Sequence, residues 1–61
     1  MTRDPFWVNL EGWRLAVVER HKKYAKLWLV DGTTHRVSLT DLVTQPCSAE
    51  TGQKLMRRLG L

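Results

Sequence analysis

Between residues 24 and 40 apolar and polar positions alternate on both sides of an Asp31-Gly32 pair, reading Tyr-Ala-Lys-Leu-Trp-Leu-Val-Asp-Gly-Thr-Thr-His-Arg-Val-Ser-Leu-Thr. Alternation of this kind marks a half-buried strand. Asp-Gly between two such runs predicts a hairpin, because glycine accepts the positive φ that the turn requires. Loop length sets the register, since a slip of one residue moves every side chain to the other face. A two-residue loop would pair Val30 with Thr33 and Trp28 with His35, and neither face would be uniform. A loop of Val30-Asp31-Gly32, with glycine left-handed and forming a bulge, pairs Leu29 with Thr33 and Ala25 with Val37. Ala25, Leu27, Leu29, His35, Val37 and Leu39 then share one face, and Tyr24, Lys26, Trp28, Thr34, Arg36 and Ser38 the other. This second register separates apolar from polar far better, and it is the one predicted.

The remaining pattern supplies the elements around the hairpin. Trp13, Leu15 and Val17 recur at period two and predict a strand with those three facing inward and Arg14, Ala16, Val18 and Arg20 outward, although the length also admits a short helix. Residues 1–5 read as an extended lead-in, because Pro5 keeps Asp4 out of the helical region. Phe6-Trp7-Val8 begins a short strand or an apolar arm, and residues 9–12 form a turn. His21-Lys22-Lys23 forms the turn before Tyr24. Residues 40–43 either continue the returning strand or turn away, and Gln45-Pro46-Cys47 breaks regular structure.

Ser48 then reads as a helix N-cap, with Glu50 in the first turn and Lys54, Arg57 and Arg58 in the later turns, where they complement the helix dipole. Ala49, Gly52, Met56 and Leu59 form one stripe, widened by Leu55, and Gly60 is suited to end the helix. Gly52 costs about 1 kcal/mol against alanine, so this helix depends on docking.

The expected fold is therefore α+β: a three-stranded antiparallel sheet (about 13–20, 24–30 and 33–40) packed against a C-terminal α-helix (about 48–59) in a single domain spanning 1–61. Leu55, Met56 and Leu59 would cover the inner face. The alternative is a small SH3-like β-barrel, which adds residues 6–10 as a strand. The three-strand layout is similar to that of AP2-type domains and of the arm-binding domains of some phage integrases. The resemblance implies an exposed sheet face inserted into a DNA major groove.

Charge and chemistry then narrow the function. Ten Lys and Arg against six acidic residues give the 61-residue chain a net charge of +4, which favours phosphate-rich partners. So small a core is marginal alone, and with three tryptophans in the chain this points to a homodimer. The single cysteine, Cys47, excludes an internal disulfide and suits a reducing cytoplasm. The apolar runs are too short to cross a bilayer, and Met1-Thr-Arg-Asp-Pro lacks a signal-peptide core, so a soluble cytoplasmic protein is expected.

His21, His35 and Cys47 do not have the spacing of a zinc site, Cys47 matches no nucleophile motif, and Asp31 and Asp41 belong to turns. No cofactor and no enzymatic activity are expected.

If the first strand faces as described, one outer surface carries Arg14, Arg20, Lys26 and Arg36 around Tyr24 and Trp28, with Lys22 and Lys23 at the adjoining turn. Such a face can neutralise phosphates, read guanine edges through Arg14 or Arg36, or stack Tyr24 and Trp28 on unpaired bases. The same charges would also merely solvate the open face of a sheet. Trp28 is equally at home in a core or an interface, and Trp13 reads as core. Phe6 and Trp7 read as a cover over one sheet edge, while His35 on the inner face reads as a satisfied core histidine.

The expectation is a small nucleic-acid-binding protein, a DNA-binding regulatory or accessory factor of a phage or plasmid kind, with DNA favoured over RNA. The alternative is a protein-interaction module, a small inhibitor or adaptor, anchored by Phe6, Trp7 and Trp28 with arginines around them.

Overall fold

The computed structural model describes residues 2–61. In chain order it contains β1 (Arg3–Asn9), β2 (Trp13–Arg20), β3 (Tyr24–Leu29), β4 (Thr34–Ser38), β5 (Thr44–Pro46) and α1 (Ala49–Leu59). All five strands pair antiparallel in one open sheet of order β4-β3-β2-β1-β5, with β4 and β5 as its edges. The α+β class is as expected, but the sheet has five strands rather than three. The extra strand that a small barrel would use at residues 6–10 is present as β1, though the sheet stays open.

Both added strands were hidden by proline. Pro5 lies inside β1, opposite Val17 of β2. Its carbonyl accepts from Cys47 Sγ at 3.5 Å. The nitrogen of a strand residue points the same way as its carbonyl, so the missing N–H faces away from β2. It lies beyond the span where β5 pairs with residues 6–8, a position where a strand tolerates proline. β5 is only three residues long and ends in Pro46.

The hairpin has the expected register. Ala25 pairs with Val37 and Trp28 with Thr34, Leu29 N–H donates to Thr33 O at 2.9 Å, and Gly32 N–H donates to Leu29 O at 2.9 Å. Gly32 sits at φ 89°, the left-handed position the bulged loop requires.

The way β2 joins this hairpin corrects the expectation. Ala16 pairs with Leu29 and Val18 with Leu27, whereas Val17 pairs with Trp28. Leu15 and Val17 therefore share the face of Trp28, and Ala16 and Val18 share the face of Leu27. The reason is that the middle of β2 is apolar on both sides: Ala16, Val17 and Val18 are all buried. A strand covered on both faces carries no alternation with which to orient it.

One face of the sheet curls around Val8, Ala16, Val18, Ala25, Leu27 and Leu29, with Phe6, Leu10, Val37, Leu39 and Leu42 packed against them. The curl follows from connectivity. In a flat sheet β4 and β5 would lie about 19 Å apart, at about 4.8 Å per strand. Residues 39–43 join them after a turn in which Asp41 N–H donates to Ser38 O at 3.0 Å. A connection that folds back on itself is too short for the flat span, given a reach of about 3.5 Å per residue. The edges are drawn together, and the concave side closes over its own side chains.

α1 lies on the opposite face, over β1 and β2, not on the Leu27 side as expected. Ser48 Oγ accepts from Thr51 N–H at 3.2 Å at its start. Gly60 ends it at φ 72°, with Gly60 N–H donating to Arg57 O and Leu61 N–H to Met56 O. Its buried residues are Gly52 and Leu55. A Cβ at position 52 would stand 2.5 Å from Pro5 Cγ, so glycine here allows the helix to close on β1. Val17, fully buried, lies on the face beneath it.

Candidate nucleic-acid interface

The helix leaves the β3–β4 side of its face uncovered. Pairing runs in rows across the sheet, and one row on this face is Arg3, Glu19, Lys26 and Arg36, one residue from each of β1 to β4. Its first two members neutralise each other. Glu19, 6 % exposed, accepts from Arg3 Nε at 2.7 Å, and His21 Nε2 lies 2.7 Å from its other oxygen. The hydrogen bond from Arg3, then that from His21, holds the Glu19 carboxyl below its usual range, against the opposing effect of burial.

Lys26 and Arg36 remain, directly opposite one another. Like charges in that position destabilise a sheet. They diverge onto neighbouring rings: Lys26 Nζ lies 4.5 Å from the Trp28 ring centre, and Arg36 Cζ 4.5 Å from that of Tyr24. His21 also stacks on Tyr24, with ring centres 4.7 Å apart. His21, Tyr24, Lys26 and Arg36 line a polar cleft of about 410 Å³ with Thr34, His35 and the Glu19 carboxylate. Lys22 and Lys23 stand exposed at the adjoining turn.

Among the described residues the ion pairs are Arg3–Glu19, His21–Glu19 and Lys54–Glu50. Lys22, Lys23, Lys26 and Arg36 have no carboxylate partner there. The surface is thus a strip of unpaired cations, of which Lys26 and Arg36 rest on aromatic rings, suited to holding anionic oxygens.

The structure brings together only some of the residues expected on this face. Tyr24, Lys26, Trp28 and Arg36 share it, with Lys22 and Lys23 at its end. Arg14 and Arg20 do not, because the β2 register turns both to the opposite side. Trp28 is half-buried beneath Lys26, and its indole N–H is buried with no acceptor among the described residues. Tyr24 and Trp28 therefore serve as platforms for the protein's own cations rather than as bare stacking surfaces. His35, expected inward as a core residue, is exposed on edge strand β4.

The three aromatics outside this strip also depart from their sequence readings. Phe6 packs against the concave core. Trp13, read as core, is 44 % exposed, and Trp7 is 37 % exposed. With Leu15, Leu29 and Val30 these two tryptophans line a second, largely apolar groove of about 570 Å³, rimmed by Arg14, Asp31 and Arg58. Arg58 Nε donates to Val30 O at 3.0 Å, tying the last turn of α1 to the hairpin loop. The available signal for this groove was the turn at residues 9–12. Once it joins two strands, Trp7 and Trp13 fall on one face.

Among the described residues no three His, Cys, Asp or Glu side chains gather as metal ligands, and no helix is long and apolar enough to cross a membrane. Comparisons with protein families, with curated sequences and with solved structures find no match to this chain.

Proposed function

We propose that this chain is a small nucleic-acid-binding protein, a regulatory or accessory factor that grips the phosphate backbone with Lys22, Lys23, Lys26 and Arg36, with DNA favoured over RNA. The observation that carries the reading is the cross-strand pair Lys26–Arg36. A fold that keeps two cations opposed, without a carboxylate partner among the described residues, works against its own stability, and such local conflict is typical of a functional surface. A phosphate oxygen between them would turn the repulsion into attraction. The net charge of +4 supports the same reading. A cytoplasmic location, a phage or plasmid setting and self-association belong to this proposal, resting on the lone Cys47 and the small core.

The test is affinity for duplex DNA, single-stranded DNA and RNA as a function of salt. Four phosphate contacts on duplex DNA give a log–log slope of about −3 to −4, and a double variant Lys26→Glu/Arg36→Glu should abolish most of the affinity and flatten that slope. Absence of binding at about 50 mM salt would sink the reading.

The second reading, a protein-interaction module acting as an inhibitor or adaptor, is favoured by the exposed Trp7–Trp13 groove. Of the anchors expected for it, Trp7 is available, Phe6 is committed to the core and Trp28 lies under Lys26. A partner complex that survives high salt would support this reading over the first.

A further inference from the structure

We infer that the groove between Trp7 and Trp13 is a stacking site for one unpaired nucleobase, so that the preferred ligand is single-stranded nucleic acid. The inference rests on the nucleic-acid reading above and gives it a ligand class.

Trp7 pairs with Leu15, and Trp13 with Asn9, so the two indoles are diagonal neighbours on one face of adjacent strands. Diagonal positions lie about 7–8 Å apart. Both indoles line the same groove, so a planar ring seated in it is within reach of either at the van der Waals contact distance of about 3.5–4 Å. Among the described residues neither indole stacks on another ring, and neither lies under a cation. That distinguishes them from Tyr24 and Trp28, whose faces Arg36, His21 and Lys26 already occupy.

The rim supplies charge complementarity for the flanking phosphates. Arg58 borders the groove and has no carboxylate partner among the described residues, whereas Arg14, next to Trp13 on β2, is turned to the opposite face. The one acid there, Asp31, is turned onto its own loop, accepting from Thr33 Oγ1 at 2.6 Å and Thr33 N–H at 3.0 Å. The groove also connects to the cationic strip. Val30 on its wall lies four residues along from Lys26, about 13 Å in an extended strand. One extended nucleic-acid strand can therefore engage both surfaces, whereas a paired base is not free to enter between the indoles.

The experiment measures affinity for a short oligothymidylate and for a duplex of equal length, using the full chain, Trp13→Ala and Trp13→Phe, with intrinsic tryptophan fluorescence and sedimentation. Trp13 is largely exposed, so the fold should persist, and circular dichroism checks this. The expected result is tighter binding of the single strand and quenching of tryptophan emission on binding. Trp13→Ala should lose about tenfold or more in single-strand affinity, with partial rescue in Trp13→Phe and an unchanged salt slope because no charge is removed. If Trp13→Ala binds the single strand as the parent does, while Lys26→Glu/Arg36→Glu does not, the groove inference falls and the phosphate-strip reading stands. If Trp13→Ala loses only self-association, the groove belongs to a second copy, and the inference is likewise overturned. Failure of the unmodified chain to bind any oligonucleotide overturns both readings.

Discussion

On the concave side of the sheet Ala16, Ala25 and Leu27 are completely buried, whereas on the helix side Val17 is completely buried but Trp13 remains 44 % exposed. The concave side is closed by the sheet itself and its connecting segments, and its strand interior is almost wholly aliphatic. The helix side is covered by one helix of eleven residues, which reaches β1 and β2 and leaves the rest to charged and aromatic side chains. A chain this short closes the centre of one face, leaving Arg14, Arg20 and His35 exposed at its margins, and covers the other only over β1 and β2. The uncovered part of the helix side is where Lys26, Arg36 and the exposed tryptophans lie.

The sharpest way to break this contrast is to delete the same atoms from each face. Leu27→Ala, at the centre of the concave side, should cost about 2–5 kcal/mol in urea unfolding. Val18 and Val17 are neighbours on β2 that point to opposite faces, both essentially inaccessible. Val18→Ala should cost about 2–3 kcal/mol, because the closed concave side cannot collapse onto the space, and Val17→Ala less, because a docked helix can settle. Equal costs would mean that the two faces are equally tightly packed.

The helix contact itself is tested by Gly52→Ala. Helix propensity alone would make this change stabilising by about 1 kcal/mol. The Cβ placed 2.5 Å from Pro5 Cγ should reverse the sign and destabilise by about 1–3 kcal/mol. In a Pro5→Ala background the penalty should shrink, and a double-mutant cycle in urea unfolding reads the coupling.

The smallest effect concerns the charged row. Glu19 has its carboxyl lowered from 4.5 in the folded chain, so it binds protons less readily folded than unfolded. Its contribution to stability is present above pH 4.5 and is lost as the pH falls through the folded value. Glu19→Gln should flatten the acid limb of the stability–pH curve, leaving the weaker dependence from Asp31, which Thr33 lowers in the same direction. An acid limb of unchanged steepness would remove Glu19 from this role.

How much of this was legible in the sequence depended on whether a residue's surroundings are local. The bulged hairpin was readable because one strand alternates cleanly, as Ala25, Leu27 and Leu29 against Tyr24, Lys26 and Trp28, and because Gly32 marks the loop. The helix caps at Ser48 and Gly60 were readable for the same reason. The orientation of β2 was not, since Ala16, Val17 and Val18 are all buried and period two has nothing to distinguish. Strand β1 was obscured by Pro5, whose compatibility depends on β5 ending before it. The split of Arg14 and Arg20 away from Lys26 and Arg36 follows from that one unreadable register, as does the mistaken side for the helix. The exposure of Trp13 required knowing that the turn at residues 9–12 joins two strands.

The strand order carries a consequence for how the molecule assembles. From β1 to β4 every pairing joins sequence neighbours, while β5 returns to β1, bringing Thr44 beside Val8. Short-range hairpins close small loops and form early, and the long closure that seats β5 carries the larger entropic toll. The first four strands can zip in succession, and the C-terminal segment then latches onto them. Arg58, carried by that segment, reaches Val30 and completes the rim of the tryptophan groove. The groove is therefore complete only when the C-terminal segment is docked, and a ligand seated there would favour chains in which that segment is in place.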